Sequence, residues 1–282
     1  MSARAGRFLI RVMPLVIAFL LGLTPALGLA DTIKIGGTGA ALGTMRVLGE
    51  AFHRIHPDAN VVIVPGLGSS GGRKALFGGA VDIAVTSRAG NSVEKLEGAV
   101  AMLYGRSPFV FAASKKNLVS ALTTQELVEI WNGKRTTWSD GTRLRLILRP
   151  ATDSDTDVLR GISPAMEEAV KAALARPGMK IALTDDDAAN DIETIPGALG
   201  TSLLSLIIGE RRSLKPLLLD GIEPSVKNIA GGSYRYFKSL YVLTRAKPSG
   251  LAQQFVAFLS SARGHEILGQ LGHWAVEGKA GQ

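Results

Sequence analysis

The chain has 282 residues, enough for one large or two modest domains with a substantial apolar core. Hydrophobic residues make up 46% and charged residues 20%, a composition that excludes disordered and fibrous proteins. Lys and Arg outnumber Asp and Glu by 32 to 24, so the charge is compatible with a surface that attracts anions. The sequence has no cysteine, which excludes disulfide scaffolds, thiolate metal sites and cysteine nucleophiles.

Residues 1–30 have the pattern of a secretory signal peptide. Three arginines precede an apolar run, and Gly28 and Ala30 are the small residues that a signal peptidase requires before its cleavage point. A retained membrane anchor is the alternative, but glycine and proline interrupt the run before the roughly 20 apolar residues of a helical span. We therefore expect cleavage near Ala30, which lowers the formal net charge from +8 to +5 because three arginines are removed.

Beyond residue 30, apolar runs of strand length alternate with helical periodicities, as in α/β proteins. The pattern predicts strand, helix, strand, helix and strand at TIKIGG, LGTMRVLGEAFHRIH, NVVIVP, residues 73–77 and VDIAVTSR. A strand at SPFVFAAS and a helix at TTQELVEIWNG lead to a second unit with LRLILRP, MEEAVKAALA, MKIAL and LKPLLL. The strand SYRYFKSLYVLT and the helical stretch SGLAQQFVAFLSSARGHEILGQLG complete the predicted elements.

This order predicts two lobes, each a mostly parallel sheet flanked by helices, with a ligand cleft between them. We assign residues 31–113 and 231–282 to the first lobe and residues 114–230 to the second. Two crossings of the chain would then join the lobes.

The segment GLGSSGG follows a strand and fits two catalytic or cofactor motifs. Its glycines fit the dinucleotide motif GxGxxG, but the acid that would hold a ribose, Asp82, begins the next strand instead of ending it. The pattern GxSxG would make Ser70 a hydrolase nucleophile, with His265 or His273 as its base. No glycine-rich oxyanion loop precedes the motif, so a serine hydrolase stays a less favoured alternative.

A third interpretation is an anion site built from loops. The N–H groups at a helix start and the hydroxyls of Ser69 and Ser70 can hold a compact oxyanion without a metal. Thr38 and Gly39, in the GGTGA turn, lie at the same end of a neighbouring predicted strand. The alternative is that these glycines only permit tight turns and the serine only caps a helix.

A third loop strengthens the anion interpretation. The strand LRLILRP delivers Arg149, and Ser154 and Thr156 follow it as helix-capping hydroxyls would. A guanidinium can bind an oxyanion with two parallel hydrogen bonds. An ion pair with a neighbouring aspartate is the alternative role for Arg149. Three loops with donors favour anion binding over three unrelated turns.

The chain after residue 30 resembles the PstS-type phosphate-binding periplasmic proteins of ABC importers. The resemblance rests on GTGA, GLGSSGGRKAL, VDIAVTSR, LVEIWNGKRTTW, RPATDSDT, IPGALGTS, SLYVLT and FVAFLSSARGHEILGQLG, in the family's order. It implies the two-lobed type II binding-protein fold, a periplasmic location, a monomer without cofactor, and a membrane ABC permease as partner. No nucleic acid is expected as a partner.

The resemblance also implies ligand-binding residues. Thr38, the Gly39 N–H and Ser69 match the family's first-lobe donors, and we add Ser70. The family's second-lobe segment, Arg followed by GSGT, corresponds to Arg149, Ser154, Asp155 and Thr156, with one extra residue after the arginine.

Two departures from the family bear on the ligand. Ser87, followed by Arg88, stands where the family has the aspartate that accepts the proton of phosphate. A hydroxyl can donate to a fully ionised anion, so this change removes a device that separates phosphate from sulfate-like ions. Asp153 and Asp155 replace two of the family's glycines, and unpaired carboxylates beside an anion would oppose its binding. Three explanations stay open: the acids point outward and pair with Arg149 or Arg88, one of them accepts the ligand's proton, or the ligand is not phosphate.

The sequence therefore predicts a solute-binding protein, not an enzyme, that captures a small inorganic oxyanion for import. Phosphate is the first candidate. A sulfate-like oxyanion, a sensory or scaffold relative that has lost tight binding, and a hydrolase that uses Ser70 are the alternatives. Thr38, Gly39, Ser69, Ser70, Ser87, Arg88, Arg149, Ser154, Asp155 and Thr156 are the expected ligand-binding residues.

Overall fold

The computed structural model of the chain describes residues 31–88 and 98–276. The predicted signal peptide, residues 1–30, lies outside the described residues. None of the helices within the described ranges is long and apolar enough to cross a membrane.

The secondary structure alternates between strands and helices along most of the described chain. The strands are β1 Asp31–Gly37, β2 Ala59–Val64, β3 Ile83–Thr86, β4 Ala99–Ser114, β5 Ala121–Leu122, β6 Arg145–Leu148, β7 Lys180–Ile181, β8 Ala198–Leu203, β9 Leu214–Pro216, β10 Leu218–Leu219, β11 Phe237–Arg245 and β12 Trp274–Ala275. The helices are α1 Gly39–Ile55, α2 Gly68–Phe77, α3 Thr124–Trp131, α4 Ser154–Arg160, α5 Pro164–Ala175, α6 Asp185–Thr194, α7 Leu204–Gly209, α8 Val226–Ala230, α9 Gly250–Leu259 and α10 Ala262–Gln270.

Strand pairing divides the main sheet into two halves that share one long strand. The order is β2-β1-β3-β11-β4-β8-β6-β7. Residues 99–108 of β4 pair with β11, whereas residues 109–114 pair with β8 and β9. We call the half with β1, β2, β3 and β11 the first lobe and the half with β8, β6 and β7 the second lobe. The chain crosses between them once within β4 and once on its way to β11.

The α/β two-lobed fold class is confirmed, with a sheet that is more mixed than we expected. β1 is parallel to β2 and β3, and β6 is parallel to β7 and β8. The strands at the junction, β4 and β11, are antiparallel to each other, and β11 is also antiparallel to β3. The parallel strands therefore lie on both sides of an antiparallel centre. The predicted lobe boundaries at residues 113 and 230 stay a prediction.

The described elements differ from the predicted ones in several places. β4 begins at Ala99, eight residues before the predicted strand. The long C-terminal helical stretch is two helices, because the Ser261 side chain accepts from the Gly264 N–H and so caps α10. Helix α6 was not predicted, although Thr184 and Asp187 form a reciprocal capping box at its start.

Candidate functional site

Polar loops from both lobes line one cleft. The segments 38–39, 67–73, 87–88, 149–154 and 183–185 contribute to its wall, and its volume is about 230 Å³. Each segment follows a parallel strand, β1, β2 and β3 in the first lobe and β6 and β7 in the second. Carboxyl ends of neighbouring parallel strands lie at one edge of a sheet, where α/β proteins commonly bind ligands. The fold thus brings the three predicted anion loops together.

Two glycines allow the first-lobe loops to approach each other. Gly37 has φ +148°, and a Cβ there would lie 1.9 Å from the Val85 carbonyl oxygen. A Cβ on Gly72 would lie 2.6 Å from the Gly37 Cα atom. A side chain at position 72 would push α2 away from the end of β1, and one at position 37 would collide with the backbone of β3. The close packing places the N-terminal turn of α2, with Ser69 and Ser70, beside the start of α1.

The start of α1 holds a carboxylate from the second lobe. The Thr38 hydroxyl donates to Asp185 Oδ2 over 2.8 Å, and the Ala40 N–H donates to the same oxygen over 3.0 Å. Thr38 is buried. The Gly39 Cα lies so close to α6 that a Cβ there would be 3.1 Å from an Asp186 oxygen. Of the predicted first-lobe donors, Thr38 therefore binds an anionic group, the Asp185 side chain, and the Ala40 N–H, which was not predicted, binds the same oxygen.

Three predicted serines form a chain across the cleft. Ser69 Oγ lies 3.5 Å from Ser87 Oγ and accepts from the Ser87 N–H over 3.4 Å. Ser87 Oγ lies 3.0 Å from Ser154 Oγ, which belongs to the first turn of α4. The hydroxyls of Ser69 and Ser87 come from the first lobe and that of Ser154 from the second, so they can converge on one small ligand.

Arg149 is the buried cation of the cleft. Its Nη2 donates to Asp153 Oδ2 over 2.8 Å and to Asp185 Oδ1 over 3.3 Å, and its Nη1 donates to the Ala182 carbonyl. The side chain is 4% exposed, and its Nε has no hydrogen-bond partner among the described residues. Burial lowers the pKa of Arg149, but the charges of Asp185, Asp155 and Asp153 outweigh burial and raise the pKa above its usual value. The predicted ion pair with a neighbouring aspartate is therefore present, and Arg149 also lines the cleft, while its binding of an oxyanion stays a prediction.

Two further arginines line the cleft. Arg88 donates to Asp157 Oδ2 over 2.5 Å and to the Thr152 carbonyl over 3.0 Å, and so links β3 to the second lobe. Arg73 donates to the Thr86 hydroxyl over 3.0 Å. With Arg149, these three cations face two carboxylates, Asp153 and Asp185, among the residues that line the cleft. Since Arg88 is already paired with Asp157, the formal charges of these arginines and aspartates balance.

Asp155 and Thr156 do not line this cleft, although we predicted both as ligand-binding residues. Asp155 is buried and accepts from Lys238 Nζ over 2.5 Å and from the Thr201 hydroxyl over 2.7 Å. The Thr156 hydroxyl donates to the Pro150 carbonyl over 2.8 Å. Each residue along a helix points about 100° from its neighbour, so Ser154 faces the cleft while the next two residues face the interior.

The acids that replace the family's glycines have different partners. Asp153 pairs with Arg149, as one of the predicted possibilities required. Burial and the charge of Asp155 raise the pKa of Asp153 above its ordinary value. Asp155 pairs with Lys238, a residue that the sequence analysis did not single out. One acid is therefore retained beside the cleft and the other is neutralised in the interior.

The arrangement gives Ser70 no histidine base. No histidine belongs to the lining of the cleft as described. His273 is fully buried, with its Nε2 2.9 Å from the Thr44 hydroxyl, and burial lowers its pKa to about 3. His265 lies within α10. Among the described residues, the histidines that were considered as bases for Ser70 therefore lie away from the cleft lining.

Sequence reasoning missed two charged residues of the cleft lining, Arg73 and Asp185. Arg73 lies one helical turn after Ser69 in α2, a spacing that puts both on one face and could have indicated it. Asp185 begins α6, whose capping box is visible in the spacing of Thr184 and Asp187. That signal predicts the helix but gives no indication that Asp185 reaches Thr38, which lies 147 residues earlier.

Comparison with known proteins gives a consistent set of relatives. The model of the PBP superfamily domain matches residues 24–263. The phosphate-binding protein PstS of Bacillus subtilis is 29% identical over 250 residues, which are 82% of this chain and 76% of that protein. A putative phosphate ABC transporter substrate-binding protein from Clostridium perfringens, solved with bound phosphate, has a TM-score of 0.72 at 21% identity and covers 87% of this chain and 100% of its own. The periplasmic molybdate-binding protein of Azotobacter vinelandii has a TM-score of 0.60 at 16% identity, over 86% and 98% of the two chains.

Proposed function

This chain belongs to the PBP superfamily, and on that premise we propose that it captures a small tetrahedral oxyanion, phosphate first, between its two lobes. The bound anion would be delivered to a membrane ABC permease, and the protein would work in the periplasm after cleavage near Ala30. It would act by binding alone, as a monomer, and without a cofactor.

The observation that carries this proposal is the set of donors that face one another across the cleft. Thr38, Ser69 and Ser87 supply hydroxyls from the first lobe, and Ser154 and Arg149 supply a hydroxyl and a guanidinium from the second. Tetrahedral oxyanions offer four acceptor oxygens, and hydrogen bonds to a charged group contribute about 1.5–3 kcal/mol each. Burial of the ligand between the lobes strengthens each of these bonds because water is excluded.

Phosphate is the first candidate because the curated relative from Bacillus subtilis and the solved protein from Clostridium perfringens both have phosphate in their names. The molybdate-binding protein has a related fold, so the fold by itself does not fix the anion. Ser87 lies in the cleft where the family's proton-accepting aspartate is expected. We infer that this position decides between phosphate and fully ionised anions such as sulfate.

Calorimetry of the chain from residue 31 onward against phosphate, sulfate, arsenate and molybdate tests the proposal. We expect saturable binding of phosphate with one site per chain. Absence of binding to all four anions would reject oxyanion capture, and a preference for sulfate would reject phosphate as the ligand. In Ser87→Asp, a carboxylate would repel sulfate but accept a proton from phosphate, so the affinity ratio of phosphate to sulfate should rise by about ten-fold or more.

A hydrolase that uses Ser70 is tested with the same preparation. The proposal predicts no ester turnover by the purified protein and none to lose in Ser70→Ala. Turnover that disappears in this variant would reject a purely binding role.

A further inference from the structure

Asp185 already makes the contacts that an anionic ligand would make. Its Oδ2 accepts from the Thr38 hydroxyl and from the Ala40 N–H at the start of α1, and its Oδ1 lies 3.3 Å from Arg149 Nη2. The first two donors belong to the first lobe, whereas Asp185 and Arg149 belong to the second. One carboxylate thus uses the N-terminal end of a 17-residue helix, a buried hydroxyl and a buried guanidinium.

The neighbouring aspartates do not share this arrangement. Asp186, the next residue of α6, lies 3.5 Å from Arg212 in a separate cluster with Glu210. Asp187 is committed to the capping box with Thr184. The contact with the anion donors is therefore specific to Asp185 and does not follow from the general acidity of the α6 N-terminus.

We propose that Asp185 is a built-in occupant of the anion site and that a soluble anion binds by displacing its carboxylate. This inference rests on the proposed function, since it concerns the same donors. Binding is then an exchange of one anion for another, and the measured affinity is reduced by the fraction of molecules in which Asp185 holds the donors.

The exchange also selects the ligand. A monoanion with two acceptor oxygens, such as formate or acetate, would accept the same hydrogen bonds from Thr38, Ala40 and Arg149 that Asp185 already accepts, so it gains no advantage in displacing the carboxylate. A tetrahedral anion with a second charge gains additional hydrogen bonds, because its other oxygens can reach Ser69, Ser87 and Ser154. Asp185 is therefore a specificity-determining residue that excludes small monocarboxylates and admits multiply charged tetrahedral anions.

Asp185→Ala tests the inference directly, because it removes the competing carboxylate and leaves its donors in place. We expect calorimetry to show about ten-fold or greater tightening of phosphate binding in this variant. We also expect formate, supplied at millimolar concentration, to bind Asp185→Ala and raise its melting temperature, while the unmodified chain shows neither effect.

Asp186→Ala is the matched control, since it removes the same charge from the same helical turn, and the hydrogen bonds of Thr38, Ala40 and Arg149 to α6 all go to Asp185. Its phosphate affinity should stay within about two-fold of the unmodified chain, and it should not bind formate. Equal tightening in both variants would mean that general charge reduction is the cause, and it would overturn the inference. Unchanged or weaker phosphate binding in Asp185→Ala would also overturn it, because the carboxylate would then support the ligand instead of competing with it.

Two further measurements keep the result interpretable. If Asp185→Ala does not fold, Asp185→Asn retains the shape and removes the charge, and phosphate binding about three-fold or more tighter than in the unmodified chain is the expected result. If no form of the protein binds any of the four oxyanions, the proposed function fails. Formate binding confined to Asp185→Ala would still support displacement at these donors, and its absence would reject it.

Discussion

The ion pair between Asp155 and Lys238 gives the sharpest test of how the site is supported. Both side chains are buried, at 3% and 4% exposure, and their closest atoms are 2.5 Å apart. Asp155→Asn keeps the side-chain shape but leaves the Lys238 ammonium without its counter-charge. Breaking a buried pair in this way costs about 3–5 kcal/mol. At about 2–4 °C per kcal/mol for a protein of this size, the melting temperature should fall by roughly 6–20 °C.

Thermal unfolding followed by circular dichroism at pH 7 measures this loss. Asp157→Asn is the matched control, because Asp157 lies in the same helix but is 54% exposed where it pairs with Arg88. An exposed pair contributes roughly 0–1 kcal/mol, so the control should melt within a few degrees of the unmodified chain. A fall of less than about 2 °C in Asp155→Asn would refute the reasoning. Loss of phosphate binding without loss of stability would instead place Asp155 among the ligand-binding residues.

The pH dependence of the same variant provides an independent check. Burial raises the pKa of Asp155, but the charges of Lys238 and Arg149 outweigh it and hold the pKa below the ordinary value for aspartate. A carboxyl with a depressed pKa contributes stability above its unfolded-state pKa of about 3.9, and that contribution is lost as the pH falls further. The difference in melting temperature between the unmodified chain and Asp155→Asn should therefore be constant near neutrality and shrink below about pH 4.

Three other predictions follow from single contacts. Burial holds the pKa of His273 near 3, so between about pH 6.5 and 3 protonation of the unfolded chain should cost about 1.4 kcal/mol of stability per pH unit. In urea titrations between about pH 6.5 and 5, His273→Gln should reduce the slope of stability against pH by about this amount, and an unchanged slope would contradict the reasoning. Gly72→Ala should destabilise the protein by about 1–3 kcal/mol and weaken phosphate binding. Gly71→Ala should be tolerated, because its Cβ would lie 3.5 Å from its nearest neighbour, and equal effects of the two variants would argue against the close packing of α2 on β1. Arg149→Lys should weaken phosphate binding about ten- to hundred-fold in calorimetry because the fork of two donors is lost, and unchanged affinity would remove Arg149 from the site.

The first-lobe part of the site could be predicted from local sequence. Thr38, Ser69 and Ser87 each follow a strand of strong apolar character, and the rule that parallel strands end at one edge is enough to bring their turns together. The glycines around them are short-range signals of tight turns. The structure places all three at the cleft, as the sequence indicated.

The second-lobe part depended on information that the sequence does not carry locally. Ser154 and Asp155 are adjacent, and which of them faces the cleft depends on how α4 is rotated about its axis when it packs. That rotation is fixed by Lys238 and Thr201, which lie 83 and 46 residues away from Asp155. Asp185 was not predicted for the same reason, because its tertiary contact with Thr38 does not affect the sequence pattern of α6. The division between α9 and α10 was missed because Ala262 continues the helical spacing of the apolar residues of α9 across Ser260 and Ser261.

The long strand β4 has a consequence for how the molecule comes apart. Its first ten residues pair with β11 of the first lobe, and its last six pair with β8 and β9. The change of partner falls between Pro108 and Phe109. If β4 separates from the sheet in one lobe, the other lobe also loses backbone hydrogen bonds to β4. Chemical denaturation should therefore proceed as one all-or-none transition, in contrast to the two separate steps of domains joined by a loose tether.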